Sequence, residues 1–266
     1  MIEPTIFQHI QSQLSQIERE ENVQILFAVE SGSRAWGFPS ANSDYDVRFV
    51  YIHPRDWYLS VDLEHRRDVI ERPCDELWDF AGWDIRKAFK LFMKSNPPLL
   101  EWLDSPFIYL ERHDFASKLR ALIAEFFSPT SSMHHYLHMA RGNMRAYLQN
   151  DTVWVKKYFY VLRPILAVRW LAEQRGAVPM AFGKLLDTIT DQPELIQTIR
   201  ELLDRKVSGD ELAKGPKIPA IHDFLTSELE RWEAGGIPAS ERSFDIEHLN
   251  LLFREMLSEC ETCPRN

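Results

Sequence analysis

The chain has 266 residues, enough for one large domain or two closely packed ones with proper cores. Its formal charge of −9 argues against a general polyanion binder, while leaving room for a local basic site. Three cysteines are too few for a disulfide scaffold, and no stretch approaches the ~20 apolar residues of a membrane span, so a cytoplasmic protein with no membrane partner is expected.

The first 24 or so residues read as an amphipathic helix, with Ile6, Phe7, Ile10, Leu14 and Ile17 at helical spacing. Val23 to Val29 is an apolar run of strand length that stops at the turn-forming cluster 30–33. Val47 to Ile52 is a second strand. The small and polar residues between them leave room for a helical turn near Arg34 to Trp36. Asp68 to Arg72 and Glu76 to Phe80 read as a hairpin. A helix starting at Gly82-Trp83-Asp84 carries Ile85, Ala88, Phe89, Phe92 and Met93 on one face and stops at Asn96-Pro97-Pro98. A short helix near Leu99 to Leu103 and a strand at Phe107 to Leu110 follow. Beyond that the pattern is helix after helix, at 115–127, 131–149, 152–174, 192–205, 217–234 and 244–260, with no clear strand. The least ordered stretch is expected near Ser208 to Gly215. The fold class is therefore α+β: a small mixed sheet with helices over 1–110, then an all-helical part over 111–266.

The informative segment is Gly32-Ser33, a spacer with a second glycine at Gly37, then Ser43-Asp44-Tyr45-Asp46. Residues i and i+2 at a strand start share a face, so Asp44 and Asp46 reach one cation cluster. Gly32 lets the backbone approach a phosphate closely, and the turn amides with the Ser33 hydroxyl donate to its oxygens. Hard divalent cations take such oxygen donors, and one or two carboxylates plus substrate phosphates complete a magnesium site. A lone Asp-x-Asp is usually a solvated turn. Strand, Gly-Ser, spacer, Ser-Asp-x-Asp, strand is a more specific combination, and it supplies what nucleotidyl transfer needs: carboxylates for cations beside donors for phosphate.

These residues resemble the signature of the DNA polymerase beta superfamily of nucleotidyltransferases. The longer strings GSRAWGFPSANSDYDVRFVY, GWDIRKAFKLFMKSNPPLLEWLDSP and KKYFYVLRPILAVRWL are similar to one branch, the predicted nucleotidyltransferases described in part as RNA-repair-associated. The resemblance spans roughly residues 24–185. It implies the superfamily fold, a nucleoside triphosphate such as ATP as substrate, and two Mg²⁺ ions, with Mn²⁺ as a substitute. It also calls for a third carboxylate on a later strand, as metal ligand and general base. Asp79 is the choice, Glu71 the runner-up, and Asp84 is read as a helix cap; Asp68 and Asp75 are the remaining candidates. Nucleotide-binding roles fall on Gly32, Ser33, Arg34 and Ser43. Arg34 either reaches a phosphate or pairs with Asp44 or Glu30.

Residues 134–176 hold Arg141, Arg145, Lys156, Lys157, Arg163, Arg169 and Arg175 against only Asp151 and Glu173, a local basic asymmetry. Lys156, Lys157 and Arg163 are expected at the nucleotide, with Pro164 bending their helix toward the cleft. Tyr158 is read as either a base-stacking ring or a core residue, and Trp36 as a pocket wall. His134, His135 and His138 lack a further ligand, and Cys260-x-x-Cys263 lacks a second pair, so no zinc is expected. The branch resemblance alone implies an RNA 3′ end as acceptor. The competing readings are a protein hydroxyl, as in antitoxin-type nucleotidyltransferases, a small-molecule acceptor, and a non-catalytic nucleotide or RNA sensor.

Overall fold

The computed structural model describes residues 2–72, 77–209, 212–237 and 243–262. Helix α1 (Pro4–Glu21) leads into β1 (Gln24–Glu30), the short helix α2 (Gly32–Trp36) and β2 (Tyr45–Ile52). A turn of helix, α3 (Arg55–Tyr58), precedes β3 (Val69–Arg72) and β4 (Trp78–Asp84). Then come α4 (Ile85–Met93), α5 (Pro97–Leu103) and β5 (Ile108–Glu111). The second part holds α6 (Phe115–Ala121), α7 (Ile123–Phe126), α8 (Pro129–Tyr147), β6 (Thr152–Trp154), α9 (Tyr158–Ala172), α10 (Phe182–Leu185), α11 (Pro193–Val207), β7 (Lys214–Pro216), α12 (Pro219–Gly235) and α13 (Ile246–Thr262).

Five strands form one mixed sheet in the order β3-β4-β2-β1-β5. The β2–β4 pair is parallel and the other pairs antiparallel. Alternation along β2 sorts its side chains onto two faces. Val47, Phe49 and Tyr51 face α1, whose Ile10, Leu14 and Ile17 complete that core. Val50 and Ile52 face a second core built from α4, α5 and α6. Leu249, Leu252, Met256 and Leu257 of α13 belong to this second core, so the last helix returns to pack beside the sheet. A third core joins α8, α9, α11 and α12. Among the described residues no helix is long and apolar enough to cross a membrane.

Four local expectations change. Gly82 and Trp83 belong to β4, and the helix begins only at Ile85. A Cβ on Gly82 would stand 2.1 Å from the Phe49 ring, so this glycine is the bare strand position over which a cross-strand aromatic lies. The helix expected over 115–127 breaks at Leu122 into α6 and α7. The helix expected over 152–174 starts at Tyr158, because Thr152–Trp154 pairs with Lys214–Pro216 in a two-stranded ribbon. That ribbon also gives regular structure to the end of the stretch expected to be least ordered. The helical second part thus carries one small sheet that three-residue strands left invisible to periodicity. Pro164 lies inside α9 without ending it. Cys74, Asp75 and Cys263 lie outside the described residues, as does the Pro73–Glu76 link of the β3–β4 hairpin.

Candidate active site

The site grows from one face of β2. Asp46 and Arg48 lie on the same face as Val50 and Ile52, so that face is polar at its start and apolar where it enters the core. Parallel pairing sets Asp46 directly opposite Asp79 of β4. Arg48 Nη2 bridges the two, 3.2 Å from Asp46 Oδ1 and 2.7 Å from Asp79 Oδ2. Burial raises the pKa of Asp46, and the charges of Asp44 and Asp79 raise it further against the opposing pull of Arg48. The cation that spans Asp46 and Asp79 in this structure is the Arg48 guanidinium.

Of the other candidate third carboxylates, Glu71 pairs with Ala81 on the edge strand, one strand farther out than Asp79. Asp84 sits at the opposite end of β4, roughly 16 Å along the strand from Asp79 by its rise. It caps α4 through the Arg86 amide and accepts a 2.6 Å bond from the Tyr58 hydroxyl. Burial lifts its pKa to about 6. The expected cap is what the geometry shows. Asp68 pairs with Lys87 on the surface.

Gly32 explains its own identity. Its φ is +59°, a left-handed value, and a Cβ there would lie 1.8 Å from Asp46 Oδ2. The backbone of the Gly-Ser turn therefore rests on the carboxylate itself. Ser33 Oγ donates to Ser43 Oγ at 3.1 Å, and Ser43 Oγ accepts from the Ser40 amide at 2.9 Å. Ser43 is buried and acts as the knot of this loop. Arg34 donates to the backbone carbonyls of Ser43 and Asp44, and its guanidinium lies 3.8 Å from the Tyr45 ring centroid. It braces the loop through backbone oxygens rather than by pairing with a carboxylate.

Under Asp46 lies Glu30, fully buried. It pairs in register with Val47 and so faces away from the cleft. Its carboxylate accepts from the Asp46 amide and from the Tyr109 hydroxyl at 2.5 Å, and burial lifts its pKa to about 7. Sequence reading passed over it because an acidic residue ending a strand looks like a solvated turn.

Beside Asp44 and Asp46 lies a cleft of about 580 Å³ between the two parts of the chain; Asp79 is not among the residues that line it. Ser33, Ser43, Asp44 and Asp46 line it, as do Lys156 and Lys157 and the expected Trp36. Trp154, Tyr160 and Lys206 are among the further lining residues; spacing puts Tyr160 on one helical face with Lys156 and Arg163, but Lys156 precedes α9, and of these three only Lys156 and Tyr160 reach the cleft. Lys206 donates to the Phe38 carbonyl, and burial lowers its pKa, with Asp44 pulling the other way. Nothing in the amphipathic pattern of α11 marks Lys206; only the docking of α11 beside the loop brings it there.

Arg163 is not brought to the cleft. It is 2% exposed and pairs with Glu101 at 3.1 Å, with its guanidinium 5.1 Å from the Trp36 ring centroid. Tyr136 donates to the other Glu101 oxygen at 2.8 Å. The group ties α5, α8 and α9 together beneath Trp36. Arg163, five residues past the start of the buried helix α9, faces the core, and sequence spacing alone left its direction open. Tyr158 is likewise a core residue, its hydroxyl accepting from the Ile218 amide. His134, His135 and His138 line a shallow groove with Lys94 and Ser131, away from the carboxylates.

A model of the RNA repair pathway DNA polymerase beta family, RlaP, matches residues 6–255. The chain belongs to this family. A relative 47% identical over 253 residues, covering 95% of this chain and 96% of its own, is the uncharacterized protein YcgL of Bacillus subtilis (strain 168). A solved nucleotidyltransferase-like protein from Exiguobacterium sibiricum aligns over 92% of this chain and 80% of its own, at 13% identity and a TM-score of 0.35. The match extends past the region near residue 185 where the sequence resemblance fades, so α11, α12 and most of α13 belong to the family unit.

Proposed function

We propose that this chain transfers a nucleoside monophosphate from a nucleoside triphosphate to a hydroxyl acceptor, with release of pyrophosphate. The observation that carries the reading is Asp46: it stands in register with Asp79, Gly32 is seated on its carboxylate, and with Asp44 it lines a cleft that also holds Lys156, Lys157 and Lys206. The donors fit magnesium: all are hard carboxylate oxygens, and two of them with substrate phosphates make a sufficient set. Asp44, Asp46 and Asp79 would hold it. Among the described residues no three acidic, histidine or cysteine side chains already stand together as a metal site; Arg48 spans Asp46 and Asp79 instead. The ion's contribution when bound is to offset charge on the attacked phosphate.

The chain's own residues do the rest. The Gly32–Ser33 turn offers amides and a hydroxyl to phosphate oxygens. Lys156, Lys157 and Lys206 offset the charge of the triphosphate. To Asp79, at 40% side-chain exposure the more open of the bridged pair, we assign the proton of the attacking hydroxyl. An RNA 3′ end is the acceptor we favour.

The test is transfer of α-labelled nucleotide to RNA or protein acceptors in Mg²⁺, beside the Asp44→Ala/Asp46→Ala double variant. Label on RNA that disappears in the variant supports the reading, and label on protein redirects it to the antitoxin type. Nucleotide binding with no transfer to any acceptor refutes it. The Arg48 bridge is the one observation on the side of that competing reading, a nucleotide sensor, because an internal cation already pairs with Asp46 and Asp79.

A further inference from the structure

The ribbon β6–β7 forms part of the cleft wall. Val153 is buried between exposed Thr152 and Trp154, the alternation of a strand with one wet face. Trp154 is 40% exposed, and an indole left in water forgoes the burial that usually retains this residue in a fold. Its cross-strand partner is Lys214, whose ammonium lies 5.0 Å from the ring centroid. A second open ring, Tyr160, is 43% exposed and carries the Lys157 ammonium 4.2 Å from its centroid. Both rings line the same cleft as Asp44 and Asp46.

The lysines around them form no ion pairs with described residues, although Asp44 and Asp46 share the cleft with three of them. Among the described residues the ion-paired lysines are Lys87, Lys90 and Lys118, on the sheet side of the molecule. Lys156, Lys157, Lys206 and Lys214 are not among them, in a chain of net charge −9.

Open aromatic faces interleaved with free ammonium groups are the surface that single-stranded nucleic acid recognises: every base has a π face and every phosphate a negative charge. One nucleobase occupies one such ring, so two open rings on separate elements exceed the need of a mononucleotide. A duplex hides its π faces, and a protein hydroxyl offers none. We propose that Trp154 and Tyr160 stack bases of a single-stranded polynucleotide acceptor, whose phosphates lie over Lys156, Lys157 and Lys214. This rests on the transferase reading with its RNA acceptor and adds to it the seat of that strand, on the β6–β7 ribbon and the start of α9.

The test is equilibrium binding of a fluorescein-labelled single-stranded oligoribonucleotide to the full chain by anisotropy, without nucleotide present. Trp154→Ala is expected to weaken binding about tenfold or more, and Trp154→Phe, which keeps a ring, to restore most of it. Lys214→Ala is expected to lower the slope of log affinity on log salt by about one. ATP affinity, measured by calorimetry, is expected to stay at the wild-type value in both variants. Oligonucleotide affinity unchanged in Trp154→Ala overturns the proposal. So does equally tight binding of the duplex form, or loss of ATP binding alone, which would assign Trp154 to the incoming base. Ring-dependent oligonucleotide binding without label transfer would sink the transferase reading and leave the strand site standing.

Discussion

Replacing Gly32 by alanine tests the contact on which the site is built. Two costs add. The left-handed backbone at φ +59° disfavours any residue with a Cβ by ~1–2 kcal/mol. The new methyl would also meet Asp46 Oδ2 at 1.8 Å and Cγ at 2.7 Å. Ordinary contact begins near 3.4 Å, so the carboxylate or the turn must move by more than an ångström. Asp46 is tied by Arg48 and by its strand, so the displacement is shared between the turn and the carboxylate. A shift of ~1 Å in a reacting group costs about a hundredfold in rate. The expected result is a Tm lower by about 3–8 °C, with label transfer reduced about a hundredfold. Gly37→Ala is the control: φ there is +95°, but nothing lies within 4 Å of its Cβ. It should lose stability through backbone strain alone and keep transfer near the wild-type rate. Scanning fluorimetry reads the first quantity and α-label transfer the second. Gly32→Ala with transfer within about threefold of wild type and an unchanged Tm would refute the contact argument.

Glu101→Gln leaves the Arg163 guanidinium buried beside a neutral partner, and the loss should approach the ~3–5 kcal/mol of a broken buried pair; its Tm should fall well below that of Arg55→Ala, whose partner Glu261 is solvent-exposed. Arg48→Met removes the bridge and leaves Asp46 and Asp79 to repel each other, so the variant should melt lower in chelator and recover in MgCl₂ by a larger increment than wild type. Glu30 carries a pH signature of definite sign. Its folded pKa of about 7 exceeds the unfolded 4.5, so the folded state holds the proton more tightly. The associated stability is full below pH 4.5 and is lost as pH rises toward 7, on the order of 3 kcal/mol in all. Glu30→Gln should flatten that limb of the stability–pH curve relative to wild type. His53, lowered to about 4 by burial, contributes an opposite slope between pH 4 and 6.5 in both proteins and cancels in the difference. A Glu30→Gln curve parallel to wild type across this window would contradict the assignment.

Much of the molecule was legible in the chain. Apolar runs of strand length fixed β1 and β2, helical spacing fixed α1 and α4, and Gly32-Ser33 with Asp44-x-Asp46 marked the site, because each signal is local and follows from a backbone period. Asp79 was legible too, as an acidic residue on the strand before a helix. Its register against Asp46 was not, since a parallel pairing brings together residues 33 positions apart and no local pattern encodes the match. The ribbon β6–β7 escaped for the same reason: strands of three residues show no period, and each exists only because the other is there. The basic stretch 134–176 announced its charge but not its directions. Helix packing sent Lys156 and Lys157 to the cleft and Arg163 into the core against Glu101, and it drew in Lys206 from outside the stretch. Sequence determined which chemistry the chain carries. Tertiary packing, by choosing which face of each element is buried, decided which of those groups meet.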